Sequence, residues 1–269
     1  MKCYVIAGCT ASGKSNFALE LAEKVGGSIV NGDSKQVYDV LPILTSQPTN
    51  LENHHLYNYF DHRQQMNLMT WLNDLEKVLV QLVEQNKVPI IVGGTGFYLN
   101  ALREGIINIP EVAYNYELDT MQTVDLYKML MILDPHSHIN PHDKYRMIRA
   151  LNVIQGTGKP YSWWLTQKVK KFDLDLEFIY IKKSKEEIRV SASNRLESMF
   201  PKVIDEVREL GSVSKHVSSI IGLNEIRMFL NNQIDLAQTK ELILIRTLQY
   251  AKQQRTWFRN KMVFDKAIE

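Results

Sequence analysis

Gly8-Cys9-Thr10-Ala11-Ser12-Gly13-Lys14-Ser15 is the stretch that decides how this chain is read. It has the spacing of a phosphate-binding loop, and its flanks supply the context such a loop needs. Ahead of it, Cys3-Tyr4-Val5-Ile6-Ala7 is a short run of β-favouring side chains, the pattern of a buried parallel strand. Behind it the period changes. Phe17, Leu21 and Val25 recur every fourth residue with Ala18 and Ala22 beside them, and Gly26 is placed to end a helix. Strand, glycine turn and helix in that order aim successive backbone N–H groups, and the positive end of the helix, at one phosphate. Lys14 adds a mobile charge and Ser15 a hydroxyl for Mg²⁺. The loop predicts a bound di- or triphosphate, and other residues must say what happens to it.

Outward from the loop the alternation continues. Residues 27–30 read as a second strand leading into Asn31-Gly32-Asp33, and residues 88–92 as a third, with Pro89 at the start, where a lost N–H is tolerated. Between them Trp71, Leu72, Leu75, Val78, Leu79, Leu82 and Val83 repeat at helical spacing. Residues 178–181 read as a fourth strand. The fold class expected is α/β: a parallel sheet flanked by helices, like that of the P-loop nucleoside triphosphatases, with ligands at the carboxyl ends of the strands. This brings Gly8 to Ser15, Asp33 and Gly93-Gly94-Thr95-Gly96 around one cleft.

From about Leu126 the pattern becomes mainly helical, with helices expected over 126–133, over 145–155 ending at Gly156, over 185–200, and at least two across 220–259. Residues 106–125 carry the weakest pattern and are expected to form a small helical insertion or lid. Residues 1–105 and 126–269 then make up the α/β core and its helical lobe.

With 269 residues the chain can bury a sizeable core, and a net charge of +2 leaves any nucleic-acid partner to be met by a local basic surface. Cys3 and Cys9 offer neither metal-ligand spacing nor a disulfide framework and read as reduced thiols. The first strand begins by residue 3, which leaves no room for a signal peptide, and no apolar run reaches the ~20 residues of a membrane span. A cytoplasmic protein without a membrane segment is expected.

Three segments add chemistry. Asp33, just beyond a strand end, is placed to take a proton from a nucleophile or help hold Mg²⁺, or simply to cap the next turn. The glycines of Gly93-Gly94-Thr95-Gly96 allow close backbone approach to a ligand, with Thr95 offering a hydroxyl, or form a structural turn. The C-terminal helix carries Arg246, Lys252, Arg255, Arg259 and Lys261 among Tyr250, Trp257 and Phe258. Those side chains suit phosphate contacts and base stacking, or a solvated face over a buried aromatic edge. The third strand runs straight into Gly93 rather than ending in Asp, which counts against a motor ATPase.

Taken in order, GCTASGKS, NGDSKQVY, His54-His55-Leu56, VGGTGFYLNAL, DPHSHINPHDKYRMIRALNV followed by TGKP, and AKQQRTWFRNK resemble the tRNA dimethylallyltransferases over nearly the whole chain. The resemblance implies that the loop, Gly8, Cys9, Thr10, Ala11, Ser12, Gly13, Lys14 and Ser15, holds the diphosphate of dimethylallyl diphosphate together with Arg195 and, through Ser15, Mg²⁺. It implies transfer of the dimethylallyl group to the exocyclic N6 of the adenosine 3′ of the anticodon. Asp33 would act on the nucleophile, Thr95 beside the reacting groups, and Lys14 on the leaving group. By the same resemblance Asp33, Ser34, Lys35, Gln36 and Thr95, and Tyr145, Arg146, Met147, Ile148 and Arg149, contact the anticodon stem-loop of tRNA. The target base has to be flipped out to react. His54 and His55, adjacent on an extended chain, belong to the fold or lid rather than to a metal site.

The chain departs from the family pattern at Cys9, where proline is usual, and at Ser191, Leu248 and Gln253, where arginine is usual; Arg195 and Lys252 remain. The insertion is short and lacks a basic residue near Glu111. Competing readings are an adenylate isopentenyltransferase acting on free nucleotide, a small-molecule kinase using ATP, and a non-catalytic RNA-binding module. A monomer is expected.

Overall fold

The computed structural model describes residues 2–269, which form two compact units: Met1–Asn100 with Leu174–Glu269, and Ala101–Asp173. The second unit is wider than the 106–125 segment expected, for a reason of packing. Leu118 from that segment is buried with Leu126, Leu130, Met147 and Leu151, so the helices Thr123–Leu133 and Lys144–Thr157 share its core.

The described strands are, in chain order, β1 (Lys2–Ala7), β2 (Gly27–Asn31), β3 (His54–His55), β4 (Val88–Gly93), β5 (Ile106–Ile107), β6 (Lys168–Val169), β7 (Asp175–Ile181) and β8 (Lys266–Ile268). β5 and β6 pair antiparallel within the second unit. The other six form one parallel sheet in the order β3-β2-β4-β1-β7-β8. From β1 the chain leaves toward β2, beyond β4 on one side, while β7 lies on the other. The crevice at such a reversal, outside the carboxyl ends, is where open α/β sheets place ligands.

The sheet is held by burial of its near-continuous apolar strands. Ile6, Ile29, Ile90, Val92 and Ile179 form one cluster with Ala18, and Phe17, Leu21 and Val25 of the Lys14–Val25 helix pack on it at the expected four-residue spacing. Full burial of each such large side chain stabilises by about 1.5–3 kcal/mol. On the Leu68–Glu84 helix, Trp71, Leu72, Leu75, Leu79 and Leu82 are buried, whereas Val83 is exposed. Trp71 does more than fill space. Its indole N–H donates to the Asn31 carbonyl at 2.9 Å and its ring stacks on Tyr98 at 4.9 Å, which fixes the end of β2.

One local expectation is corrected, and one strand is added. The helix expected to stop at Gly156 runs to Thr157, and Gly158 takes the left-handed cap at φ 67°. Glycine at 156 serves packing instead, since Val112 lies 2.6 Å from where a Cβ would stand. β8 has no hydrophobic period of its own, and forms by parallel pairing of Lys266–Ile268 with the edge of β7.

Candidate phosphate-binding site

Three adjacent strands, β1, β4 and β2, end at the same rim of the sheet, and each delivers one part of the site. From β1 comes Gly8–Ser15. Ala11 and Gly13 adopt positive φ, 61° and 85°, which curls the loop into the first turn of the Lys14–Val25 helix. A Cβ at Gly8 would lie 2.5 Å from Ser12 Oγ and 3.3 Å from the Ile181 carbonyl oxygen, so a larger residue there would displace the Ser12 hydroxyl. Lys14 bends back so that its Nζ is 3.4 Å from the Cys9 carbonyl. Burial lowers the Lys14 pKa, while Asp33 opposes this and Arg195 adds to it. Arg195, on the Lys185–Met199 helix, is likewise lowered by burial with Asp33 opposing. Two cations thus share one poorly solvated place that an anion would relieve.

From β2 comes Asp33, held by a buried Asn31. The Asn31 side chain accepts from the Asp33 N–H at 2.8 Å and donates to the carbonyls of Asp33 and Leu56 at 3.0 and 2.9 Å. Asp33 Oδ1 accepts from the Lys35 N–H at 3.0 Å, the turn-capping bond that the sequence left as one alternative. The capping oxygen leaves Oδ2 facing Gly94, where an added Cβ would stand 3.3 Å away.

From β4 comes the glycine turn. A Cβ on Gly93 would sit 2.2 Å from the Gly32 carbonyl oxygen, and one on Gly96 would meet the Trp257 ring at 2.2 Å. Thr95 Oγ1 accepts from the Ser34 N–H at 2.9 Å and donates to Ser34 Oγ at 3.2 Å, which ties this turn to the end of β2. Gln254 closes the set. Its Oε1 accepts from the Thr10 N–H at 2.8 Å and its Nε2 donates to the Gly94 carbonyl at 2.9 Å.

Thr10, Lys14 and Asp33 line a cavity of about 330 Å³ whose walls mix two kinds of side chain. Arg195 joins them among the polar groups, and Leu196, Met199, Ile220, Ile221 and Ile243 are among the apolar ones. Tyr250 also lines it, its hydroxyl pKa raised by burial and by Asp33. Sequence reading missed the apolar wall and the clamp made by Gln254. The wall is assembled from the Lys185–Met199 and Leu236–Lys261 helices and the 219–221 turn, remote in sequence, and Gln254 stood only as one letter of the AKQQRTWFRNK match.

Lys35 and Gln36 are engaged within the fold. Lys35 Nζ donates to the His216 carbonyl and Ser219 Oγ, both at 2.8 Å, and Gln36 Nε2 to the carbonyls of Thr45 and Ser46 at 2.9 and 3.0 Å. Cys9 is buried against Ile188 and Ala251, and that burial raises its thiol pKa. The residue at this departure from the family pattern therefore turns away from the loop's ligand face. Both cysteines are free and buried. Ser15 is exposed at the loop's end. Its hydroxyl and the Asp33 carboxylate are hard oxygen donors, the type Mg²⁺ takes alongside phosphate oxygens, so this donor set fits that ion.

Of the C-terminal helix, Arg246 pairs with the buried Glu225, and Phe258 is buried at ring-centroid distances of 5.6 and 6.0 Å from Tyr180 and Phe264. Phe258 thus belongs to the core and is not offered to bases, while Trp257 is half-buried and packs on Gly96. Lys252, Arg255 and Arg259 instead join Lys185 and Arg189 along a groove of about 840 Å³. In the second unit Tyr145, Arg146 and Arg149 are exposed, and Arg146 pairs with Asp143 at 3.2 Å. Met147 and Ile148, expected to touch tRNA, are instead buried in that unit's core.

The class is thus α/β, a six-stranded parallel sheet flanked by helices whose first strand feeds a glycine-rich loop into a helix beside a cavity lined by cationic and apolar side chains. The chain belongs to the IPP transferase family, whose model matches residues 36–261. It is 36% identical to a tRNA dimethylallyltransferase of Pelagibacter ubique, over 97% of this chain and 89% of that one. It is 32% identical to another from Ehrlichia ruminantium, over 96% and 91%. Among solved structures it resembles a tRNA isopentenylpyrophosphate transferase of Bacillus halodurans, with a TM-score of 0.68, 27% identity and coverage of 98% and 89%. A eukaryotic dimethylallyltransferase acting on tRNA has the same fold, with a TM-score of 0.82 at 24% identity and coverage of 98% and 73%.

Proposed function

We propose that this protein transfers the dimethylallyl group of dimethylallyl diphosphate to N6 of the adenosine 3′ of the anticodon in tRNA, releasing pyrophosphate. The observation that carries the reading is one cavity lined by both cations and apolar side chains. Lys14 and Arg195 suit a diphosphate, and Leu196, Met199 and Ile243 suit a branched five-carbon chain, with Asp33 lining the same cavity. The relatives' shared activity supports the acceptor.

On this reading the loop N–H groups, Lys14 and Arg195 hold the diphosphate and stabilise the charge that grows on it as the C1–O bond breaks. Apolar side chains such as Met199 and Ile243 keep the dimethylallyl carbons dry and aimed. The N6 lone pair forms the new C–N bond, the C1–O electron pair leaves with pyrophosphate, and the N6 proton passes to Asp33. Thr95, bonded to Ser34, holds the Asp33 turn against the glycine turn. Ser15 would be the protein ligand of Mg²⁺, which when bound neutralises diphosphate charge.

The groove lined by Arg189, Lys252 and Arg255 is read as a contact for tRNA phosphates, as are Arg146 and Arg149 of the second unit. A tRNA substrate supports action in the cytoplasm, and the supply of every named catalytic group by one chain supports a monomer. No helix among the described residues is long and apolar enough to cross a membrane.

The test is label transfer from dimethylallyl diphosphate, with Mg²⁺, to unmodified tRNA, to AMP or to no acceptor, using wild type and Asp33→Asn. Label entering tRNA alone, and lost in the variant, is the expected result. Label entering AMP moves the protein to the free-nucleotide class, and no transfer to either acceptor overturns the proposal.

A further inference from the structure

The second unit carries a feature that the phosphate site does not use. Tyr114, Tyr116 and Tyr145 are 50%, 75% and 81% exposed, although large aromatic side chains are normally well buried. They are not scattered. Tyr114 and Tyr116 meet edge to face with ring centroids 4.9 Å apart, and Tyr114 and Tyr145 line one cavity of about 290 Å³ with Arg149. Tyr114 is also fixed in place, since its hydroxyl donates to Asp119 Oδ1 at 2.9 Å. The loop under it is anchored as well, with the Asn115 N–H donating to Asn152 Oδ1 at 2.7 Å.

Rigid, exposed rings beside a guanidinium are the chemistry of base stacking, because an unpaired base presents a π-face to an aromatic ring and its phosphate to a cation. Leu118 and Ile148 beside the cavity are buried, and Tyr114, Tyr145 and Arg149 stand exposed at it. With tRNA as the substrate reading, ring faces and a guanidinium together match one unpaired nucleotide, its base and its phosphate.

We propose that Tyr114 and Tyr116, with Tyr145 and Arg149, form a stacking platform for an unpaired base of the RNA substrate. It rests on the reading that the substrate is tRNA, and adds that the residues between 106 and 125 bind through bases rather than through phosphates. This also gives a role to a segment with four acidic residues and no Lys, Arg or His: contact is made with aromatic faces in place of charge. Tyr114 and Tyr116 fall outside the motifs of the sequence, and Tyr114 links the group, packing on Tyr116 and sharing a cavity with Tyr145.

The test measures binding of wild type, Tyr116→Phe, Tyr116→Ala and the Tyr114→Ala/Tyr116→Ala pair to two RNAs. One is an unmodified anticodon stem-loop; the other is the same hairpin with abasic loop positions, which keeps the phosphates and removes the bases. The expected result is near wild-type affinity for Tyr116→Phe and a loss of about tenfold for Tyr116→Ala, greater for the pair, with an unchanged salt slope. The difference between wild type and Ala variants disappears on the abasic hairpin. Circular dichroism checks that the variants fold, and Tyr116, mostly exposed, leaves no cavity when truncated. Equal affinity of wild type and Tyr116→Ala for the complete hairpin, or an equal loss on both hairpins, overturns the platform while leaving the tRNA reading intact. Absence of wild-type binding to either hairpin, with label transfer to AMP, overturns both.

Discussion

Gln254 and Thr10 are joined by a 2.8 Å hydrogen bond from the Thr10 N–H, and the same buried amide donates to the Gly94 carbonyl at 2.9 Å. One side chain from the C-terminal helix therefore sets the spacing between the loop after β1 and the turn after β4. Gln254→Ala leaves the Gly94 carbonyl without this donor, at a cost of about 1–3 kcal/mol. Urea denaturation should show that loss, and the KM for dimethylallyl diphosphate should rise.

Asp33 can be tested without disturbing its turn. Asn at this position retains an oxygen to accept from the Lys35 N–H, so Asp33→Asn should fold with normal stability. If Asp33 takes the N6 proton, single-turnover transfer should fall by about 10²–10⁴-fold while diphosphate affinity changes little. A rate within a factor of ~2 of wild type would rule out a base at this position.

Lys14 has a pKa lowered by burial from the ordinary 10.5. The folded value lies below the unfolded one, so the charged form opposes folding: this cost is fully present below the folded pKa and vanishes as pH rises through the window up to 10.5. Bound diphosphate reverses the preference. Lys14→Met should leave the unliganded protein as stable as wild type or more so at neutral pH, yet abolish the rise in Tm that dimethylallyl diphosphate gives wild type. In wild type, KM should climb with pH before an ordinary lysine titrates, and Lys14→Arg should move that climb to higher pH.

Gly93 stands against backbone, with the Gly32 carbonyl oxygen 2.2 Å from its would-be Cβ. No side chain can swing aside to make room. Gly93→Ala should cost about 1–3 kcal/mol and, by pushing apart the ends of β2 and β4, lower kcat more than it raises KM. Thermal unfolding and steady-state kinetics separate the two effects.

Arg149→Ala should weaken tRNA binding across all salt concentrations tested and reduce the slope of log affinity against log salt by about one contact. A variant with unchanged slope would place the guanidinium away from phosphate.

Local pattern made much of this molecule legible. β1, the Lys14–Val25 helix, β2, β4 and β7 each carry a period that depends only on neighbours in sequence, and each lies where its period put it. Gly156 and Gly158 mark the limit. Both are residues that can end a helix, and only the folded backbone shows that Gly158, at φ 67°, does so while Gly156 meets Val112. Met147 and Ile148 mark another, because a motif runs continuously along a helix while burial selects its faces, leaving Tyr145 and Arg149 outside.

By itself the sequence determined the α/β class, the glycine turn from β1 into a helix, the placing of Asp33 and Gly93–Gly96 at neighbouring strand ends, and the family. These follow from short-range geometry, in which a strand, a glycine turn and a helix N-terminus need only adjacent residues. Tertiary structure alone decided the apolar wall of Met199, Ile220 and Ile243, the Gln254 clamp, and the meeting of Tyr114 with Tyr145. Each joins side chains from separate elements, and their proximity comes from burial of the cores beneath them, to which no local period corresponds.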